Sequence, residues 1–74
     1  MRQKLKLLGG RLRGARLGRK LPLRVIAGRV GVSIATLHEY ENGSIEPPAL
    51  RLFRLAQVLN LSLNQLARET RRAA

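Results

Sequence analysis

Residues 23–42, LRVIAGRVGVSIATLHEYEN, decide the fold. Gly31 divides this stretch into two short runs, each with a helical apolar spacing. In the first run Ile26, Ala27 and Val30 share a face at i, i+1 and i+4. In the second, Leu37, Tyr40 and Glu41 share one at i, i+3 and i+4. Ser33 stands where a side-chain oxygen can cap the second run. Two helices interrupted by one glycine cannot continue straight, and Ala27 is small enough to let their axes approach. This is the plan of a helix-turn-helix.

Outward from that stretch, the rest of the chain supplies helices to pack against it. Residues 1–7, MRQKLKL, alternate cations with apolar residues and carry no cap, so they read as a basic N-terminal arm or as an extension of the first helix. Leu8, Leu12 and Ala15 recur at i, i+4 and i+7 and predict helix 1 from Leu8 to about Arg19, with Arg13, Leu17 and Lys20 facing away from the core. Glycines at 9, 10, 14 and 18 weaken it, each by about 0.5–1 kcal/mol relative to alanine in a helix interior. Packing must hold it. Pro22 suits the first position of helix 2, after Leu21. Helix 3 follows Ser33 and ends at Gly43. A loop with Pro47-Pro48 leads to helix 4, about Ala49 to Leu59, whose buried stripe is Leu52, Leu55, Ala56 and Leu59. Ser62 to Gln65 has the S-x-x-Q form of a capping box and starts helix 5, with Leu63, Leu66 and Ala67 inward. The expectation is an all-α, compact five-helix domain over 8–70, with a frayed tail at 71–74.

Composition narrows the chemistry. Seventy-four residues suffice for one small core, and fifteen leucines favour helices. The chain has no cysteine, which excludes disulfides and thiolate metal sites and suits a reducing cytoplasm. No apolar run approaches the ~20 residues of a membrane-spanning helix. One histidine, no aspartate and no paired carboxylates argue against an enzyme, and no cofactor or metal is called for. Fifteen Lys and Arg stand against four Glu, a formal charge of +11. Ten of those cations and no anion lie in residues 1–31. So large an unopposed charge repels itself unless a polyanion neutralises it, and nucleic acid is the first candidate.

With Leu37 and Tyr40 inward, helix 3 turns Ile34, Ala35, Thr36, His38, Glu39 and Asn42 outward. In a DNA-bound helix-turn-helix the start of this helix meets base edges in the major groove. Ile34 and Ala35 can pack on thymine methyls, Glu39 can accept from a cytosine amino group, and His38 can bond a base or a phosphate. Thr36 is a candidate phosphate donor. Arg2, Lys4, Lys6, Arg11, Arg13, Arg24 and Arg29 are the candidate phosphate-binding cations. Glu41 falls on the inward side, where an unpaired carboxylate is costly, and Arg16 on the flank of helix 1's apolar face is its natural partner.

Residues 8–66 resemble the phage-repressor helix-turn-helix family, the lambda repressor-like or Cro/cI type, also called XRE. The resemblance rests on Leu8-Gly9, Leu12-Arg13, Ile26-Ala27, Val30-Gly31-Val32-Ser33, Thr36-Leu37, Glu41-Asn42-Gly43, Pro47, Leu55-Ala56, Leu59, Leu61-Ser62-Leu63 and Leu66. It implies a lambda repressor-like DNA-binding domain that regulates transcription, commonly as a repressor and a homodimer, through helix 5 or the loop before it. It also implies base-reading roles for Ile34, Ala35, His38 and Glu39, phosphate contacts near Thr36 and Asn42, and an Arg16–Glu41 pair. Members often begin helix 2 with a Ser/Thr cap and a Gln and read bases with Gln or Arg; this chain has Pro22-Leu23 and Ile34-Ala35. The same fold also serves protein-bridging and antitoxin-type interaction modules, and Leu17, Leu23 and Val25 are apolar residues expected on the surface. A cationic membrane-surface binder explains the charge but not the ordered stripes of helices 3 to 5.

Overall fold

A computed structural model describes the backbone of residues 2–72 and the side chains of residues 5–68. It contains five helices: α1 (Arg2–Gly18), α2 (Leu23–Val30), α3 (Ile34–Asn42), α4 (Ala49–Leu59) and α5 (Leu63–Arg72). Helix α1 is central, packing against α3, α5 and α4, while α2 is held between α3 and α4. Each helix sends one large, fully buried side chain into a shared core: Leu12, Ile26, Leu37, Leu55 and Leu66. Burying each of these contributes about 1.5–3 kcal/mol. Leu8, Ala27, Tyr40, Ala56 and Leu59 complete the core. Among the described residues, no helix is long and apolar enough to cross a membrane.

The turn between α2 and α3 forms as its residues dictate. Gly31 adopts φ 83° and ψ 34°, and its N–H donates to the Ala27 carbonyl at 2.9 Å, closing α2. A Cβ at Gly31 would meet nothing within 4 Å, so the left-handed backbone alone is what requires glycine there. Ser33 Oγ accepts from the Thr36 N–H at 3.0 Å and caps α3.

Helix α1 crosses the end of α3 at a distance no side chain would permit. A Cβ at Gly9 would lie 2.5 Å from the Tyr40 carbonyl oxygen and 2.8 Å from the Glu41 carbonyl carbon. One turn further, Gly43 closes α3 at φ 79°, with Lys6 N at 2.9 Å from where its Cβ would stand. Gly10 and Gly14, by contrast, face open space. The cost of the α1 glycines is therefore offset by packing at Gly9 alone.

Several expectations need correction. Helix α1 starts at Arg2, six residues before Leu8, so of the two readings of the basic arm the extension of helix 1 holds for residues 2–7, whose alternating cations carry no helix breaker. Residues 71–72 likewise belong to α5, and residues 73–74 lie outside the described residues. Pro22 is the N-cap of α2 rather than its first helical residue. Ala67 is exposed instead of inward. Leu23 and Val25 are half-buried, Leu23 against the core, and of the three apolar residues expected on the surface Leu17 is the exposed one.

Two neighbouring glycines therefore behave oppositely. Gly10→Ala should stabilise the domain by about 0.5–1 kcal/mol, since it adds helix propensity in open space. Gly9→Ala should destabilise it by about 1–3 kcal/mol, because backbone must shift to admit the methyl. Thermal unfolding of both variants followed by circular dichroism checks this. Equal shifts of the same sign would show that α1 does not rest on α3 at Gly9.

Candidate nucleic-acid interface

The buried face of α3 is fixed by three residues: Leu37 and Tyr40 in the core, and Glu41 beside them. Glu41 is met by Arg16 from α1. Arg16 Nε donates to Glu41 Oε2 at 2.7 Å and Nη2 donates to Oε1 at 3.0 Å, a bidentate pair with little exposure on either side chain. The third guanidinium nitrogen, Nη1, donates to the Leu21 carbonyl oxygen at 2.9 Å. One side chain thus holds the end of α3 and the connection that leads into α2. Among the described residues, no buried side-chain nitrogen or oxygen lacks a hydrogen-bond partner.

The bond to the Glu41 carboxylate raises the Arg16 pKa, against the opposing effect of burial. A cation whose folded-state pKa is raised adds stability at every pH below its ordinary value and loses it only as the pH climbs past the raised one. Glu41 thus holds Arg16 in its charged form, and the side chain is committed to structure.

With that face locked, the opposite side of α3 meets solvent. Ile34, Ala35, His38 and Asn42 are exposed, and Glu39 and Thr36 are half-buried. Ile34 keeps 51% of its surface in water, at the first position of the helix. Ser33 Oγ donates to Thr36 Oγ1 at 2.9 Å, so the Thr36 hydroxyl hydrogen is left to donate elsewhere. Asn42 Oδ1 accepts from the Ser44 N–H at 3.0 Å and from the Ser44 hydroxyl, which leaves its NH2 group as the outward donor. Both residues offer hydrogen, the complement of a phosphate oxygen.

The cations surround this face unevenly. Lys6, Arg11 and Arg13 are exposed on α1, and Arg24 and Arg29 on α2. The side chains of Arg2 and Lys4 lie outside the described residues. Arg19 reaches across to the Val58 carbonyl at 3.4 Å and so helps fasten α1 to α4. Sequence reasoning missed two residues of a different kind. Leu50 and Phe53 are 82% and 55% exposed on α4. The signal was present: α4 has apolar residues at 50 and 53 as well as in its core stripe, more than one face can bury.

Residues 7–70 match the family model of a helix-turn-helix domain. Comparison with curated proteins found no match.

The Arg16–Glu41 pair lends itself to a double-mutant cycle. Arg16→Met or Glu41→Leu alone should cost about 3–5 kcal/mol in urea unfolding, because each leaves a buried charge unpaired. The double variant should lose much less than the sum. Additive losses would mean that the pair is not coupled.

Proposed function

Because the chain belongs to the helix-turn-helix domain family, we propose that it is a DNA-binding transcriptional regulator, repressor-like in action, that inserts α3 into the major groove. The observation that carries the reading is the division of α3 into a face clamped by Leu37, Tyr40 and Glu41 and a face left in solvent. A helix held on one side by a core and a bidentate ion pair arrives at the groove pre-oriented, which lowers the entropic cost of docking.

On this reading Ile34 and Ala35 pack against thymine methyls, Glu39 accepts from a cytosine amino group, and His38 reaches a base edge. Thr36 and Asn42 donate to phosphates through the hydrogens their local bonds leave outward. Lys6, Arg11, Arg13, Arg24 and Arg29, joined by Arg2 and Lys4 beyond the described side chains, neutralise further phosphates. The base-facing set is poor in hydrogen-bonding groups and the cation set is rich. Affinity should therefore lean on the backbone, and sequence preference on methyl contacts and DNA shape. A homodimer would read two half-sites about one helical turn apart, and a regulator of this kind works at the nucleoid.

Selection from a random duplex pool, followed by mobility shift of selected and scrambled duplexes over a salt series, tests the reading. Log affinity should fall with log salt at about −0.9 per phosphate contact. Absence of any shift at low salt would sink the proposal. Glu39→Ala should change the selected sequence with little effect on affinity for scrambled DNA. An unchanged selection removes Glu39 from the base-reading set. Sedimentation over a concentration range, with and without DNA, tests the dimer.

A further inference from the structure

Helix α4 is apolar on two sides. Its inner side, Leu52, Leu55, Ala56 and Leu59, belongs to the core or packs against it. On the opposite side Leu50, Phe53, Arg54 and Gln57 follow one another at i, i+3, i+4 and i+7, the spacing of a single helical face. That outer face and Val30 at the end of α2 line an open groove of about 320 Å³. The volume lies at the small end for binding sites and suits two or three side chains. Val30 also packs against the core, whereas Leu50, Phe53, Arg54 and Gln57 serve neither the core nor the proposed DNA contacts.

The charge around the groove is of one sign. Arg54 is exposed and forms no ion pair with a described residue, and Arg51 spends one nitrogen on the Tyr40 hydroxyl at 3.5 Å. Helix α4 contains no acidic residue. A second copy of this face would bring arginine against arginine, on chains that each carry a formal +11. Nucleic acid would satisfy the arginines but leave Leu50 and Phe53 in water. An occupant that satisfies both must carry apolar side chains flanked by carboxylates.

We propose that the α2–α4 groove docks an acidic amphipathic helix from a partner protein, seating apolar residues on Val30, Leu50 and Phe53 and pairing carboxylates with Arg54 and Arg51. A helix laid in a groove reads i, i+3, i+4 and i+7 anchors, the same spacing that α4 presents. The proposal is independent of DNA recognition, because it uses no residue assigned to α3's outer face or to the phosphates.

The test uses a synthetic amphipathic peptide of about four helical turns, with Leu and Phe on one face and Glu on the other. Its binding to the full chain is read by fluorescence anisotropy and by amide chemical-shift changes. Two control peptides keep the pattern but replace Glu by Lys, or keep Glu but replace the apolar face by Gln. The acidic amphipathic peptide should bind, with shifts confined to α4 and the end of α2, and both controls should bind at least about tenfold more weakly. Phe53→Gln and Leu50→Gln should each weaken binding by about tenfold, and Arg54→Glu should do the same, with melting temperature unchanged. Equal binding of the Glu/Gln control would reduce the effect to bulk charge and overturn the proposal. So would shifts at α3 in place of α4, or peptide binding indifferent to Phe53→Gln. Self-association or binding to anionic vesicles that is lost in Phe53→Gln, without peptide binding, would assign the groove to a second copy or to a lipid surface instead. Mobility shift of the same variants keeps failure here distinct from failure of the DNA reading.

Discussion

The Arg16 guanidinium is the constraint on which the arrangement of helices depends. It spends three nitrogens on two targets: both oxygens of Glu41 and the carbonyl of Leu21. Those bonds tie the last turn of α1 to the end of α3 and to the link that starts α2. A buried pair of this kind adds little net stability over an apolar substitute, since desolvation cancels much of the attraction. Its contribution is orientation. The planar fork accepts the carboxylate in one geometry, so α3 cannot rotate about its axis without breaking it. Gly9 and Gly43 add the second half of the constraint. They let α1 lie directly on the backbone at the end of α3, where a methyl group would separate the helices. Rotation is set by the ion pair and distance by the glycines, and the solvent face of α3 follows from both.

Local signals in the sequence made much of this legible. Gly31 between two apolar runs, Ser33 before the second and Gly43 after it each act within a few residues, so the helix-turn-helix can be read without tertiary knowledge. The Arg16–Glu41 pair was legible for a different reason: a carboxylate on an inward helical face needs a partner, and Arg16 was the cation on the flank facing it. What required the structure was contact between distant segments. Four glycines in α1 look alike in sequence, and only Gly9 meets another backbone. The start of α1 was hidden because cations alternating with leucine neither cap nor break a helix. Ala67 was misassigned because a three-residue periodic set gives no guide to how far α5 lies over the core. Leu50 and Phe53 were hidden by their neighbours, since a helix rich in leucine offers several possible stripes. On the DNA side, the exposed positions of α3 could be read from its buried ones, but what an exposed side chain touches depends on a molecule that the chain does not encode.

On the proposed reading, the exposed face of α3 and the charge of the chain would divide recognition between them. Ile34 and Ala35 bring no side-chain hydrogen bonds to a base edge, and the hydroxyl oxygen of Thr36 and the oxygen of Asn42 already accept within the chain, which leaves those two residues only hydrogens to offer. In the proposed complex such a face would distinguish bases by methyl groups, by the one carboxylate of Glu39 and by the shape of the groove. The cations of α1 and α2 would add attraction without discrimination. Weak base reading combined with strong phosphate binding lowers the ratio of specific to nonspecific affinity. Pairing two domains on one duplex raises that ratio without changing a side chain, because only a correctly spaced pair of half-sites engages both.

The α4 groove bears on this balance through electrostatics even though it shares no residue with the α3 face. The domain measures 31 × 22 × 22 Å, so the two surfaces are separated by at most a few Debye lengths of about 8 Å at physiological salt. A carboxylate seated on Arg54 would be screened over most of that distance in water, but part of the path runs through a leucine core, where screening is weaker. An acidic occupant would thus lower the potential felt by a phosphate only modestly for each charge it brings. The same charge acts more strongly on the approach of DNA than on its final contacts, because long-range attraction sets the rate of encounter. Coupling between the two surfaces, where both are occupied, therefore belongs mainly to association kinetics and to low salt. The bonds that hold α3 in place, from Arg16 to Glu41 and Leu21, are not altered by it.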